Sequence, residues 1–510
     1  MKSLIKTGRK YSMFQTDHFL RPPERQNTLG KLIEQFVLCF FGLVNALILY
    51  LFIFKQSDVW HVLTVLYLIV VILTCGIIVR IQVRPFYILL AVMTLSLVVR
   101  LSYVVVIPTE PTSDFKALYE AAQASSMGDF SWSHVSGGYF YNWCYQIPFV
   151  LYESIIFKLF PSIFALKLLN VFFMVGINYL LYRIGQFFLS DKAALCVAFI
   201  YAVFPGAIMY TSVLTNQHIS LFFLLLGVMI LLCSKQWWGL LLSGIILAIS
   251  DLMRPETIVI LAAFICCGLL RYVQHPNIES MKRLVIMVIL MISCYWMTKK
   301  LVELTLIWTD IAPNGLGNHM PEWKFALGLG NIEGYGGYST EHMVSFVLAE
   351  DDSARRAVLV GIISELFHNP PMQIIRFFIR KIKYFWTTPQ DIRWSLWNVE
   401  NSMQILPGGM AVQTFRAYFQ YFERGMLLLV YLLSMPAPIL LWRRKKTNGV
   451  ELFCIATICT MFCVYFLVEV QTRYRYFTIP FWLLIGGITL DWLIQCWGHR
   501  LQNLSKKERD

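Results

Sequence analysis

The sequence predicts an all-α polytopic membrane protein of about twelve transmembrane helices, with two large extracytoplasmic loops carrying juxtamembrane helices. Three observations predict it. Hydrophobic residues make up 57% of 510 residues and charged ones 14%, a balance far from that of a soluble domain. Apolar runs of about 20 residues recur, each long enough to cross a hydrocarbon core of about 30 Å as a helix. Short basic turns separate most of the runs, and two long polar segments, 108–163 and 308–424, interrupt them.

Residues 1–31 carry Lys2, Lys6, Arg9, Lys10, Arg21, Arg25 and Lys31 against Asp17 and Glu24. They hold no apolar core with a cleavage pattern and read as a basic cytoplasmic tail, not a signal peptide. A transmembrane hairpin fills 32–84, with spans near 32–54 and 59–79, and Arg80 and Arg84 keep the following turn inside. A span at 85–107 opens a module that runs to 307. Its loop 108–163 faces outward and holds a short helix at 115–127. The stretch 147–160, with Glu153 and Lys158 and closed by Pro161, is too short to cross and reads as interfacial or re-entrant. Crossings near 164–182, 193–210, 217–233, 238–251, 256–270 and 284–307 then place Arg183, Arg271, Lys282 and Arg283 on the cytoplasmic side.

The second outer loop, 308–424, opens with Gly328, Gly330, Asn331, Gly334, Gly336 and Gly337, too glycine-broken to continue a helix. Residues 353–368 and 371–386, separated by Pro370 and Pro371, read as amphipathic helices, the second with a basic run of Arg376, Arg380, Lys381 and Lys383. Spans near 426–441, 451–468 and 477–495 fill the C-terminal segment 425–497. Arg443, Arg444, Lys445 and Lys446 mark the inside between the first two, and 498–510 returns as a cytoplasmic tail.

The formal net charge of +13 follows from this inward bias and from attraction for membrane lipid headgroups. It is no nucleic-acid footprint, because no basic groove or soluble module accompanies it. The twelve cysteines sit mostly inside apolar runs as small packing residues, so no disulfide framework is implied. No Cys/His spacing suggests a metal site, and no cofactor is expected; a divalent cation is the less favoured option. Both termini are expected in the cytoplasm, and the basic inner loops suit a bacterial plasma membrane, although the same rule holds in the endoplasmic reticulum.

Ionisable groups are scarce at mid-depth and gather near the outer interface, at Asp114, Asp129, Asp251, Arg254, Glu256, Glu469, Arg473 and Arg475. That placement suits an enzyme at the membrane surface better than a conduit, which keeps its charges inside the bundle. In the sequence Pro111-Thr112-Ser113-Asp114-Phe115, followed by Tyr119, Asp114 is the candidate general base. The plainer reading makes Ser113 or Asp114 an N-cap. Arg473 and Arg475 are suited to gripping a lipid phosphate, or else they snorkel to headgroups beside belt tyrosines. Arg254, Pro255 and Glu256 occupy a tight turn in which the arginine pairs with Asp251 or Glu256. The many Trp and Tyr side chains of both loops suit sugar rings and interface belts alike.

With these residues in hand, the chain resembles the GT-C superfamily of integral-membrane glycosyltransferases that use polyprenyl-phosphate-linked sugars, which includes protein O-mannosyltransferases and the aminoarabinose transferase. In that family the first outer loop carries an essential acidic residue just after a span, the place of Asp114 with Tyr119 behind it. A proline- and tyrosine-containing entry to a juxtamembrane helix follows, matched by Tyr145, Gln146, Ile147, Pro148 and Phe149. Phe157 to Pro161 stand at the family's Leu-Phe-Gly turn, and Leu169, Asn170, Phe204, Pro205 and Ser212 continue the pattern. Departures are clear. Phe115 replaces the second acid of the protein-modifying members, Tyr145 and Gln146 replace the His-Lys of the aminoarabinose transferases, and two spans precede the family's first.

The resemblance implies a GT-C-like bundle that transfers a sugar from a polyprenyl-phosphate-linked donor to a cell-envelope glycan, polymer or glycolipid acceptor at the outer face. The reaction is a single inverting displacement. Asp114 is the expected catalytic base and Arg473 or Arg475 the donor-phosphate ligand, with Arg376 or Lys383 in reserve. Tyr119, Tyr145, Arg254, Glu256 and Glu469 are expected to support them. The alternatives are a flippase or exporter of lipid-linked glycans and a polysaccharide polymerase.

Overall fold

The computed structural model describes residues 27–56, 60–234, 236–338, 344–346, 348–349, 351–402, 405–406, 409–444 and 447–507, with side chains at all of them except 280, 399–402 and 498–507. The basic tail expected at 1–31 falls outside these residues apart from its last five, which cap and begin the first helix. Of the C-terminal tail only the backbone of 498–507 is described, as the end of the last helix.

The bundle is entirely helical among the described residues. The helices are α1 Thr28–Lys55, α2 Val62–Arg80, α3 Pro85–Val106, α4 Asp114–Ser126, α5 Ile147–Leu159, α6 Ile163–Gly185, α7 Asp191–Ala202, α8 Gln217–Cys233, α9 Trp237–Met253 and α10 Thr257–Gln274. They continue as α11 Ile278–Trp308, α12 Trp323–Leu329, α13 Asp352–His368, α14 Pro371–Thr387, α15 Arg393–Ser402, α16 Val412–Ser434, α17 Ala437–Arg444, α18 Gly449–Leu467 and α19 Ile479–Lys507. Shorter turns of helix join some of them. Among the described residues nine stretches are long and apolar enough to cross a membrane, and α7 with the bent segment 205–212, taken as one span, makes a tenth. The chain is therefore a polytopic membrane protein. The apolar helices α8 and α9, 17 residues each, fall short of the same length, so the expected count of twelve crossings is not reproduced by length alone.

Local sequence explains the ends and breaks. Pro85 occupies the first turn of α3, where its missing N–H costs nothing. At α18, the Asn448 side chain accepts from Val450 N at 3.0 Å and Glu451 accepts from Asn448 N at 2.6 Å, a closed capping box. The crossing expected at 193–210 is bent by 56° at Val203 and Phe204, because Pro205 cannot donate to Tyr201 and holds Phe204 extended. Arg100 of α3, fully buried, repairs the break by donating to the Tyr201 and Ala202 carbonyls at 3.1 and 2.8 Å.

The second polar segment is shorter than its composition suggests. Helix α16 begins at Val412, well before the expected span at 426–441, and ends at Ser434 ahead of Pro436. Its first turns carry Phe415, Tyr418, Phe419 and Phe422 among polar residues, which hides a helix that continues straight into the bundle. The amphipathic helices expected at 353–368 and 371–386 are α13 and α14. The apolar face of α14 enters the core through Phe377, Phe385 and Trp386, and Trp386 packs on Trp482 of α19 with ring centroids 6.0 Å apart. Tyr431 of α16 bonds the Trp386 carbonyl at 2.7 Å. The loop helix is thereby fixed to the spans rather than laid over them.

Candidate active site

Helix α4 opens on Asp114 itself. Ser113 occupies the N-cap position with a positive φ of 52°, but its side chain makes no capping hydrogen bond. A non-glycine residue held in that region stores strain, which the surrounding contacts must outweigh. Phe115 and Leu118 are buried beneath the helix, leaving the Asp114 carboxylate at the first turn with 48% of its side chain exposed. It faces a cavity of about 920 Å³ enclosed by both loops and by α9, α10, α11 and α18 near their loop ends.

Arg473 enters the same cavity from the short 3₁₀ helix Thr472–Phe477 that links α18 to α19. Its backbone carbonyl is held by the Gln217 side chain at 2.6 Å. The guanidinium lies over the rings of Trp394, Phe115 and Tyr474, at 5.0, 5.5 and 5.6 Å from their centroids. Nη2 stands 3.8 Å from Asp114 Oδ2. Burial works against its charge, but the Tyr474 and Tyr210 oxygens and Asp114 outweigh that and raise its pKa.

Four carboxylates line the cavity, at Asp114, Glu256, Glu303 and Glu469, with five cations, at Arg254, Lys299, Lys300, Lys324 and Arg473. Four of the cations are held by carboxylates. Arg254 meets Glu256 at 3.3 Å, Lys299 meets Asp251 at 2.6 Å, Lys300 meets Glu303 at 2.8 Å, and Lys324 bonds Glu469. Among the described lining residues, Arg473 is the cation whose carboxylate partner stands beyond hydrogen-bond reach. Its charge is fixed at the cavity wall by the rings beneath it.

The supporting residues form two braces. In one, Asn216 donates to Gln146 Oε1 and Met253 O at 3.0 and 2.9 Å and accepts from Arg254 at 3.2 Å, tying the first loop to the 254–256 turn. Burial raises the Glu256 carboxyl despite Arg254 beside it. In the other, buried Glu469 accepts from Lys324, from Gln471 at 2.6 Å and from Tyr474 at 3.3 Å. Burial pushes its carboxyl up, but Lys324, the Gln471 hydrogen bond and the Arg473 charge hold it below the usual range. Lys324 was not visible in sequence as a site residue. It lies in an ordinary loop helix, and a bond from Glu469 N to the Lys324 carbonyl at 2.7 Å ties that helix to the 469–471 segment beside the cavity.

The cavity has two unlike halves. Tyr139, Trp143, Tyr145, Trp323 and Tyr338 form an aromatic wall on the loop side. Ile258, Val259, Trp296, Met461, Val464 and Val468 form an apolar trough on α10, α11 and α18 and the residue that caps it. Asp114 and Arg473 line the same cavity.

Several expected site residues lie elsewhere. Arg475 is 1% exposed behind the 3₁₀ helix, donating to Phe385 O at 2.6 Å and lying 3.9 Å from Glu423. Arg376 points outward from α14 and Lys383 is half-buried, neither of them lining the cavity. The basic run instead holds loop backbone: Arg380 donates to the Ile332 and Gly334 carbonyls, and Lys381 donates to Gly328 O at 2.6 Å. Tyr119 also misses the cavity and packs edge-on against Phe157, joining α4 to α5. Tyr145, Arg254, Glu256 and Glu469 are brought together with Asp114 and Arg473. Among the described residues no group of three or more His, Cys, Asp or Glu side chains comes together as a metal set.

No protein-family model and no curated protein sequence matches the chain. Solved structures similar to it include the oligosaccharyltransferase of Archaeoglobus fulgidus in the apo form, at 12% identity and a TM-score of 0.43 over 83% of this chain and 52% of that one. Another is the archaeal oligosaccharyltransferase AglB from the same organism, in complex with an inhibitory peptide and a dolichol-phosphate, at 11% identity and a TM-score of 0.43 over 82% and 52%. The chain thus matches about half the length of these structures.

Proposed function

We propose that the protein is a glycosyltransferase that moves a sugar from a polyprenyl-phosphate-linked donor to a hydroxyl of a cell-envelope glycan, polymer or glycolipid. One observation carries this reading: among the described lining residues Arg473 is the cation whose carboxylate partner, Asp114 at 3.8 Å, stands beyond hydrogen-bond reach, in a cavity lined by both aromatic and apolar side chains. The trough suits the donor's isoprenoid tail, and the aromatic wall suits sugar rings. Asp114 takes the acceptor hydroxyl proton as the acceptor oxygen bonds the anomeric carbon. The bond from that carbon to the phosphate oxygen breaks, and its electron pair leaves on the lipid phosphate. Arg473 stabilises that charge as it develops, from a position fixed before the reaction. One displacement inverts the anomeric centre. Twelve crossings, both termini in the cytoplasm and the loops on the outer face of a bacterial plasma membrane complete this reading.

The test uses purified protein in liposomes with labelled polyprenyl-phospho-sugar and a panel of glycan and glycolipid acceptors. Wild type transfers one label per acceptor, and Asp114→Asn lowers the rate by about 10²–10⁴-fold. Transfer that survives Asp114→Asn overturns the reading. Passage of intact labelled lipid across the liposome without transfer supports a flippase instead, and long labelled chains support a polymerase.

A further inference from the structure

We infer that Trp394 is a positioning residue: helix α15 clasps the first loop and, through the Trp394 ring, sets the Arg473 guanidinium beside Asp114. This rests on the transfer reading above and names a residue which that reading leaves out.

The same short helix grips both partners of the site. On one side Ser395 and Asn398 hold the segment that leads from α3 to Asp114. Thr109 donates to Ser395 O at 2.7 Å, and the Ser395 hydroxyl lies 2.8 Å from Tyr103 Oη and 2.9 Å from Ser212 Oγ. Asn398 donates to Pro108 O at 2.6 Å and accepts from Glu110 N at 3.3 Å. On the other side the neighbouring Trp394 lies under Arg473, 5.0 Å from centroid to guanidinium carbon, and meets the Phe115 ring edge-on at 5.5 Å. Arg473 Nε is buried without a hydrogen-bond partner, so stacking rather than hydrogen bonding holds this edge of the guanidinium. Phe115 adjoins Asp114 in sequence. Trp394 therefore touches the cation directly and the carboxylate through one backbone step, and it sets the gap between them.

Removing the ring lets the guanidinium fall toward Asp114 or away from the phosphate. Misplacement of about 1 Å is enough to cost up to about 10²-fold in rate. Trp394→Leu is expected to lower kcat by about tenfold or more while the donor KM moves by less than about twofold, because the loss falls on charge that develops in the transition state. Trp394→Phe keeps an aromatic face and restores most of the turnover. A merely structural role is separated by a double-mutant cycle. In the Arg473→Gln background, Trp394→Leu is expected to add less than about a twofold further loss, since the group it positions is already gone.

Thermal melts give the folded fraction for each variant. Where Trp394→Leu does not accumulate, Trp394→Met, which also lacks an aromatic face, carries the same cycle. Equal losses in both backgrounds, or full turnover in Trp394→Leu, overturn the proposal while Asp114→Asn still abolishes transfer. Retained transfer in Asp114→Asn overturns the catalytic reading itself.

Discussion

Arg473 and Arg475 look interchangeable in sequence, two arginines flanking one tyrosine at the end of a span. In a 3₁₀ helix, with about three residues per turn, side chains two positions apart point about 120° from each other. One faces the cavity and the other turns back into the bundle toward Glu423. The position of Asp114 could be read from sequence because it stands just past an apolar run, four residues after Glu110. The roles of the two arginines could not, because they depend on a turn type that composition does not encode. The burial of Arg475 and Glu423 makes a sharp prediction. Arg475→Met strands a buried carboxylate and is expected to destabilise the fold by about 3–5 kcal/mol, visible as a lower melting temperature in detergent. An unchanged melt together with a raised donor KM would return Arg475 to the phosphate ligands.

At the scale of elements, α13 and α14 were legible because proline punctuation and a period of 3.6 residues coincide there. The start of α16 was masked by the polar residues between its aromatic rings. What α14 does could not be read either. Its basic run suggested phosphate binding, whereas Arg380 and Lys381 bind carbonyls at the end of α12 and in the glycine segment. Gly336 tolerates no side chain there, since it has a φ of 67° and an added Cβ would sit 2.7 Å from Gly328 O. Its carbonyl receives Val470 N at 2.9 Å, so α14, the glycine segment and residues 468–470 lock together around Glu469.

Lys381 tests that lock through pH. Burial pulls its ammonium down to about 7, with the Glu469 carboxylate opposing the shift. The unfolded chain keeps this proton up to about 10.4, so between these values it binds more protons than the folded one. Stability from this group therefore rises with pH across that window, and below it the full cost of the buried charge remains. Lys381→Met removes the charge. Its melting temperature relative to wild type is expected to be more favourable near about pH 6 than near about pH 9. A difference that stays constant over that range would show that Lys381 does not titrate there.

For the whole molecule, the arrangement has a direction. The loops that build the cavity meet one another: Trp143 packs on Trp323 at 6.1 Å, and buried Cys144 donates to Gly317 O at 2.6 Å. The basic turns lie at the other ends of the helices. Arg80 stacks on Trp497 at 4.5 Å, and Arg271 donates to Gln274 at 2.8 Å and to Thr447 O. Basic turns are retained on the cytoplasmic side of a membrane, so the cavity is expected to open to the opposite face. A protease site inserted between Ser136 and Gly137, both exposed at a loop tip, should be cut by protease added to intact cells. The same site inserted between Pro276 and Asn277, in the exposed turn before α11, should be cut only after the membrane is opened. The reverse pattern would put Asp114 on the cytoplasmic side, where its acceptor would have to be an intracellular molecule, and would remove the ground for an envelope acceptor.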